Sequence, residues 1–240
     1  MALSIEVKDV HLSYRTINPV SAKSLGRGAG KRSSRFEALR GVSFQVEEGE
    51  ILGVVGRNGS GKSTLLRTIA GIFSPDSGSI DTFGRSVSLL AIGVGFQPRL
   101  TGRDNIILSG LLLGFGEEEI RARMEEIIDF SELGPFIDRP VKTYSSGMYS
   151  KLAFAITVTL ETDIILIDEV LSVGDARFNK KSFARMKELI GGADRTVLMV
   201  SHAAGTIRQL CSRVLWLDQG RVRMAGETEE VLRAYGEAGG

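Results

Sequence analysis

The chain contains few of the residues that hold disulfide-bonded or metal-rich proteins together. Among its 240 residues are one cysteine and two histidines. A single cysteine, Cys211, excludes a disulfide within the chain and a cysteine-based zinc site, and it suits a reducing compartment. We expect Cys211 to be a small buried residue beside Leu210. His11 has no functional context in the sequence and is predicted to be structural.

The sequence also lacks an excess of charge and long apolar runs. Its 30 basic and 29 acidic residues leave a net charge of +1, which does not indicate general nucleic-acid binding. The start, Met1–Val7, lacks the basic residues and apolar run of a signal peptide. Apolar stretches such as Ile106–Phe115 are too short to cross a bilayer. A membrane role is therefore expected to act through a partner.

What the sequence does contain is a glycine-rich loop between a predicted buried strand, 51–55, and a predicted helix that begins near Lys62. Strand, G-x-x-x-x-G-K-S and helix in this order predict a phosphate-binding loop, in which backbone N–H groups and the helix dipole attract an anion. Lys62 would reach the phosphates, and the Ser63 hydroxyl would ligate Mg²⁺. The alternative is a turn without a ligand. The predicted nucleotide-binding residues are Gly56, Asn58, Gly59, Ser60, Gly61, Lys62, Ser63 and Thr64.

An acidic pair follows a second apolar strand, 164–167. Asp168 would face the metal held by Ser63, because a carboxylate at the end of a buried strand needs a partner or a metal. The next residue, Glu169, is placed to polarise a water that attacks the γ-phosphate. The alternative is an ordinary acidic cluster at a strand end.

Further candidates lie at ends of other predicted elements. His202 follows the strand 196–200, where open α/β sheets bind ligands, and is predicted to contact the γ-phosphate. Ser145 and Ser146 are N-cap candidates of a helix whose N-terminus attracts anions, although a capped helix is the simpler interpretation. Tyr14 is either a core residue or a platform for a purine, and the local sequence favours the core. The basic segment 15–35 is either a solvated insertion or a contact for anionic lipid or substrate.

The middle of the chain, 101–160, is predicted to be mostly helical. One helix begins at Thr101–Asp104, the next continues from Glu117 to Ile128, and another follows Gly147. The region around Pro135 and Pro140 is predicted to be a loop. Alternating strands and helices on either side predict a parallel sheet with both faces covered.

Taken in order, these motifs resemble the nucleotide-binding domain of an ATP-binding-cassette (ABC) transporter. The resemblance implies an α/β fold of the P-loop NTPase class, with a RecA-like parallel-sheet core, an N-terminal antiparallel β-subdomain and an inserted helical subdomain. It implies one domain over 1–240, in which 1–92 hold the β-subdomain and the phosphate-loop part of the core. The helical subdomain would span about 101–160, and 161–240 would complete the core.

The resemblance also assigns roles. Tyr14 would stack on adenine. Ser145, Ser146 and Gly147 look like the signature motif, which contacts the γ-phosphate of ATP held by a second copy, so the active form would be a head-to-tail homodimer that uses ATP and Mg²⁺. Asp175 looks like the residue that communicates between the two sites, and Gln97 would link the metal to the membrane partner.

Departures from the common family pattern indicate one branch. Tyr144-Ser-Ser-Gly-Met148 stands where Leu-Ser-Gly-Gly-Gln is usual. Together with Phe96–Asn105 and Asp168–Phe178, it resembles the corresponding segments of exporters of O-antigen, capsule, teichoic acid or galactan. Their permease subunits would hold the ATPase at the cytoplasmic face of the membrane and move a lipid-linked polysaccharide. The C-terminal carbohydrate-binding domain of some members is expected to be absent. A subunit of another ABC transporter, or a soluble ABC-type clamp, remain alternatives.

Overall fold

A computed structural model describes residues 2–17, 33–90, 95–168, 175–191, 195–201 and 203–239. Two sheets and a group of helices make up this part of the chain. The strands are β1 (Leu3–Ile17), β2 (Ser33–Glu47), β3 (Ile51–Val55), β4 (Ser77–Asp81), β5 (Val87–Leu89), β6 (Ile164–Asp168), β7 (Thr196–Val200), β8 (Arg213–Asp218) and β9 (Arg221–Glu227). The α-helices are α1 (Lys62–Ile69), α2 (Gly102–Leu112), α3 (Glu117–Ala122), α4 (Met124–Ser131), α5 (Ser146–Leu160), α6 (Ala176–Gly191), α7 (Ala204–Leu210) and α8 (Thr228–Glu237).

The larger sheet has the strand order β5-β6-β7-β3-β8-β9, and it is parallel from β5 to β8. Its inner strands are almost entirely aliphatic because both faces are covered. Alternate residues of β6 are buried in two different hydrophobic cores. Leu166 packs with α1 and the smaller sheet, whereas Ile165 and Ile167 pack with the layer of α5 to α8. The parallel order places the carboxyl ends of β3, β6 and β7 side by side, which confirms the predicted α/β core.

The smaller sheet is antiparallel, with the order β2-β1-β4. Residues 3–10 alternate apolar and polar side chains, a pattern that predicts a half-exposed strand. Ile5, Val7 and Val10 of β1 are buried and Lys8 and Asp9 are exposed, as this pattern predicts, but Ser4 is buried as well. The strand is longer than the alternation over 3–10 indicates. Its pairing with β2 continues to Ile17 opposite Ser33, so cross-strand hydrogen bonds extend it beyond the apolar pattern.

The helices α2 to α5 enclose a separate core that includes Ile106, Ile127 and Leu152. Two predictions for this unit were wrong. The helix expected from Glu117 to Ile128 is divided at Arg123, which ends α3 and precedes α4 and whose guanidinium donates to the Thr159 carbonyl at 3.1 Å. The expected loop contains two 3₁₀ helices, Gly134–Asp138 and Val141–Thr143. Pro135 is accepted in the first turn because that turn leaves its N–H groups unpaired.

Among the described residues, no helix combines the length and the apolar character needed to cross a membrane.

Candidate nucleotide-binding site

The glycine-rich loop connects β3 to α1, and two of its glycines are required by their surroundings. Gly56 has φ 155°, and a Cβ atom there would lie 2.1 Å from the carbonyl oxygen of Leu217. Gly61 has φ 105°, and its Cβ would lie 2.6 Å from the carbonyl oxygen of Ala38. The backbone of β8 and of β2 therefore packs so closely against the loop that Gly56 and Gly61 leave no room for a side chain. Gly59, with φ 80°, has open space on its side-chain position.

Lys62 is the first residue of α1 and is 7% exposed. Its ammonium donates hydrogen bonds to the carbonyl oxygens of Gly56 at 2.6 Å and Arg57 at 3.1 Å. The Ser60 hydroxyl in the same loop is buried and has no hydrogen-bond partner among the described residues. A buried ammonium, an unpartnered hydroxyl and the N-terminus of α1 converge here, so this donor set fits the phosphates of a nucleotide.

Ser63 and Asp168 lie on different elements and meet at the same place. The Ser63 hydroxyl of α1 donates to Asp168 Oδ1 at 3.0 Å, across the ends of β3 and β6. A hydroxyl and a carboxylate oxygen suit Mg²⁺, which is usually held by one or two protein ligands together with waters and substrate phosphates. The pair fits that pattern. The described residues contain no larger cluster of His, Cys, Asp or Glu that could hold a metal.

Gln97 lies in an exposed turn before α2. Its described hydrogen bonds are made by the backbone: the Asn105 side chain accepts from the Gln97 N–H at 2.6 Å and donates to its carbonyl at 3.2 Å. Within the described part of the chain, no hydrogen bond joins the Gln97 side chain to Ser63 or Asp168. The metal-linking role of Gln97 stays a prediction.

Tyr14 lies on β1 next to the loop helix. Its hydroxyl is 3.1 Å from the hydroxyl of Thr64 in α1, and its ring packs edge-to-face against Phe73 with centroids 5.9 Å apart. The half-buried ring therefore contributes to the core, as the local sequence favours, and it also lies beside a predicted nucleotide-binding residue. Stacking on adenine stays a prediction.

The predicted signature segment begins α5 in the helical unit. Ser145 is the N-cap, and its hydroxyl accepts the Met148 N–H at 3.2 Å. Ser146 is exposed like Ser145, and Gly147 is half-buried. Tyr144 is tied to the same unit through its hydroxyl, which donates to the Phe136 carbonyl at 2.9 Å. Within the described part of the chain, the side-chain hydrogen bonds of the segment stay inside the helical unit, and none joins it to the glycine-rich loop.

Asp175 precedes α6 and joins it to the signature helix. One carboxylate oxygen accepts the N–H groups of Arg177 and Phe178, each at 3.0 Å, and the other accepts Lys151 of α5 at 2.8 Å. The Lys151 ammonium lowers the pKa of Asp175 to about 2, with help from these backbone donors. Lys151 was missed at the sequence level. Its position on the same helix as Ser145 was the available signal, but its partner could not be inferred from spacing.

The predicted catalytic residues Glu169 and His202 lie outside the described residues, as do Ser172, Val173 and Gly174. The flanking positions are described: Asp168 ends β6, and Ser201 follows the end of β7. The roles of Glu169 and His202 stay predictions.

Comparison with known proteins agrees with this geometry. Residues 39–172 match the family model described as "ABC transporter". The O-antigen export system ATP-binding protein RfbB of Myxococcus xanthus is 49% identical over 213 residues, which are 87% of this chain and 48% of that protein. RfbB of Klebsiella pneumoniae is 44% identical over 86% of this chain and 84% of its own length. The teichoic acids export ATP-binding protein TagH of Staphylococcus haemolyticus is 42% identical over 98% and 89%.

Solved structures agree on the fold. An ATP-binding subunit of an ABC transporter superposes with a TM-score of 0.73 at 23% identity, over 97% of this chain and 93% of that one. A dimeric post-hydrolysis ATP-binding cassette bound to ADP and phosphate superposes with a TM-score of 0.70 at 22% identity, over 93% and 98%. The chain belongs to the ABC transporter family. It spans only about half the length of the first relative, 48%.

Proposed function

We propose that the chain is the ATP-hydrolysing subunit of an exporter that moves a lipid-linked cell-surface polysaccharide of the O-antigen, teichoic-acid or galactan type. The observation that best supports ATP hydrolysis is the 3.0 Å hydrogen bond between Ser63 and Asp168. Ser63 directly follows the buried Lys62. The names of the relatives, which specify O-antigen and teichoic acid export, support the substrate class.

The chemistry is positioning and electrostatic stabilisation. Lys62 and the loop N–H groups would neutralise the phosphate oxygens, because phosphoryl transfer gathers negative charge there. Ser63 and Asp168 would hold Mg²⁺, with Gln97 as a further candidate. The bound ion would supply additional positive charge. Glu169 would take a proton from the attacking water, and His202 would contact the γ-phosphate.

The exposure of Ser145 and Ser146 in the signature segment supports the proposed partners. A second copy would bring its Ser145–Gly147 to the ATP held by the first, so two ATP molecules would lie between two copies. The helical subdomain, about 101–160, would dock on permease subunits and hold the protein at the cytoplasmic face of the membrane. ATP binding would close the dimer, and hydrolysis would reopen it.

Glu169→Gln tests the chemistry. The amide cannot accept the proton of water, so the variant should bind ATP and hydrolyse it at least about a hundredfold more slowly. A variant that hydrolyses ATP at the native rate would remove Glu169 from its role as base.

The substrate class is tested in cells depleted of the protein. Lipid-linked polysaccharide should accumulate on the cytoplasmic side, and the protein should co-purify with membranes in untreated cells. Accumulation of a different lipid or of a drug would indicate another ABC transporter. If the protein never co-purifies with membranes, the result would favour a soluble ABC-type clamp over a transporter subunit.

A further inference from the structure

Arg57 lies at a variable position of the loop motif, and the proposed chemistry leaves it without a role. Its guanidinium Nη2 donates to the carbonyl oxygens of Ala238 at 3.1 Å and Gly239 at 2.5 Å, directly after the end of α8. The last carbonyls of a helix lack partners within the helix and carry partial negative charge, so a guanidinium is a matched cap. A side chain of the nucleotide loop thus caps the C-terminal helix.

The strands before α8 hold the same part of the loop. The N–H of Gly220, in the turn between β8 and β9, donates to the Ser60 carbonyl at 2.9 Å. The carbonyl of Leu217 in β8 leaves no room for a side chain at Gly56. The unit β8–β9–α8 therefore contacts the loop at Gly56, Arg57 and Ser60, and Arg57 makes its contact through its side chain.

The carbonyls of Gly56 and Arg57 also accept hydrogen bonds from the Lys62 ammonium. A phosphate bound in the loop would compete with these carbonyls for the ammonium. The carbonyl of Arg57 holds the Lys62 ammonium, so the position of this peptide group affects nucleotide binding. The side chain of the same residue fixes the peptide group to the end of α8.

The body and the end of α8 are held differently. Val231 and Leu232 are buried, and Tyr235 packs edge-to-face on Trp216 with ring centroids 5.4 Å apart. The core anchors the body of the helix. Ala238 and Gly239 are exposed and are held by backbone bonds to Ala234 and Gly236 and by the loop arginine, so this end can respond to the loop without disturbing the core.

We infer that Arg57 is a positioning residue through which nucleotide in the loop and docking of the α8 end stabilise each other. The inference rests on the proposed function only in that the loop must bind adenine nucleotide with Mg²⁺. Coupling of two equilibria is reciprocal: if docking of α8 favours the nucleotide-binding loop, nucleotide must favour docking by the same factor. Because the contact is exposed, we expect a factor of about three to ten, at the low end of such couplings.

The test uses the full chain with Mg·ADP, which binds without turnover. Affinity is measured by calorimetry, and backbone exchange is measured over Ala234–Gly239 by hydrogen–deuterium exchange. Arg57→Ala should weaken Mg·ADP by about three- to tenfold and abolish the slowing of exchange that Mg·ADP causes at the α8 end. Arg57→Lys, a single point charge, should retain part of both effects.

Arg223→Ala is the matched control, because Arg223 pairs with Asp218 at 3.2 Å and lies over the Trp216 ring in the same C-terminal unit. It should change neither affinity nor the response of α8. Native affinity of Arg57→Ala, or an α8 response that survives in it, would overturn the inference while leaving the ATPase intact. Failure of the unchanged protein to bind Mg·ADP or hydrolyse ATP would overturn the proposed function and this inference with it.

Discussion

Two glycines of the nucleotide loop differ in what surrounds them, although both have positive φ. Gly56 faces the Leu217 carbonyl, and Gly59 faces open space. The motif pattern marks Gly56 and leaves Gly59 variable, which agrees with the crowding. The enclosed glycine is needed for packing of the loop on β8, whereas the open one contributes mainly backbone freedom.

Gly56→Ala should therefore lower the free energy of unfolding by roughly 2 kcal/mol or more, because overpacking adds to backbone strain. Gly59→Ala should cost about 1 kcal/mol, from strain alone. Urea unfolding of the two variants beside the unchanged protein measures the difference. Equal losses would mean that contact with β8 does not restrict the loop.

A second prediction at the residue scale concerns Asp168, whose neighbour across the site is Ser63. Asp168→Asn should raise the Mg²⁺ concentration needed for half-maximal ATP hydrolysis by roughly tenfold or more, because the amide oxygen is a weaker ligand. Asp163→Asn is the control. Asp163 precedes β6 at the end of the strand opposite Asp168, and its carboxylate accepts a hydrogen bond from the Ser86 hydroxyl. An unchanged Mg²⁺ requirement in the Asp168 variant would remove Asp168 from the metal site.

Between elements, the junction of α5 with α6 depends on charge as well as on apolar packing. Lys151 of α5 bonds Asp175 and lies 4.9 Å from the centre of the Phe178 ring, while Lys181 of α6 lies 4.4 Å from the centre of the Phe130 ring. Both lysines approach Glu132, so the two ammonium groups share one carboxylate. This cluster connects the helical unit to the parallel-sheet core at the start of α6.

Lys151→Met should raise the pKa of Asp175 from about 2 towards its ordinary value near 3.9, because the largest stabilising partner of the carboxylate is lost. A carboxyl-carbon NMR titration measures this shift. Lys181→Met removes a neighbouring ammonium that does not bond Asp175 and should leave the pKa near 2. Equal shifts in the two variants would contradict the specific pairing.

The pair of Asp175 and Lys151 also determines how the free energy of unfolding changes when the pH is lowered. The pKa of Asp175 is lower in the folded chain than in the unfolded chain, so its stabilisation is fully present above about pH 4 and is lost as the pH falls towards 2. The stability difference between the unchanged protein and Lys151→Met should therefore narrow over that interval. Urea unfolding at several pH values checks the trend, and a difference that widens on acidification would contradict it.

What could be predicted from sequence differs from element to element. The strand Ile164–Ile167 and the loop before Lys62 were predicted because an unbroken aliphatic run and a glycine pattern are local signals. The division at Arg123 was not, because apolar spacing continues across it and the break involves a contact with Thr159 far along the chain. Lys151 pairs with Asp175, 24 residues along the chain, and Arg57 pairs with Ala238, 181 residues along the chain. Such pairings become visible only once the fold is known.

At the scale of the whole molecule, the two segments that are predicted to contact nucleotide lie in separate places of one chain. Lys62, Ser63 and Asp168 converge at the ends of β3 and β6, whereas Ser145–Gly147 lie at the start of α5 in the helical unit, where both serines are exposed. Under the proposed function, the signature of one copy completes the site of another. A single chain would then bind ATP but hydrolyse it poorly.

Mixing two inactive variants tests this claim most directly. Lys62→Ala disables the loop, and Gly147→Asp places a negative charge where the signature would meet phosphate. If the site is shared, a mixed dimer has one site built entirely from intact segments, so an equimolar mixture should recover ATP hydrolysis up to about one quarter of the unmutated rate for a symmetric dimer. If the mixture hydrolyses ATP no faster than either variant alone, the shared-site account is contradicted.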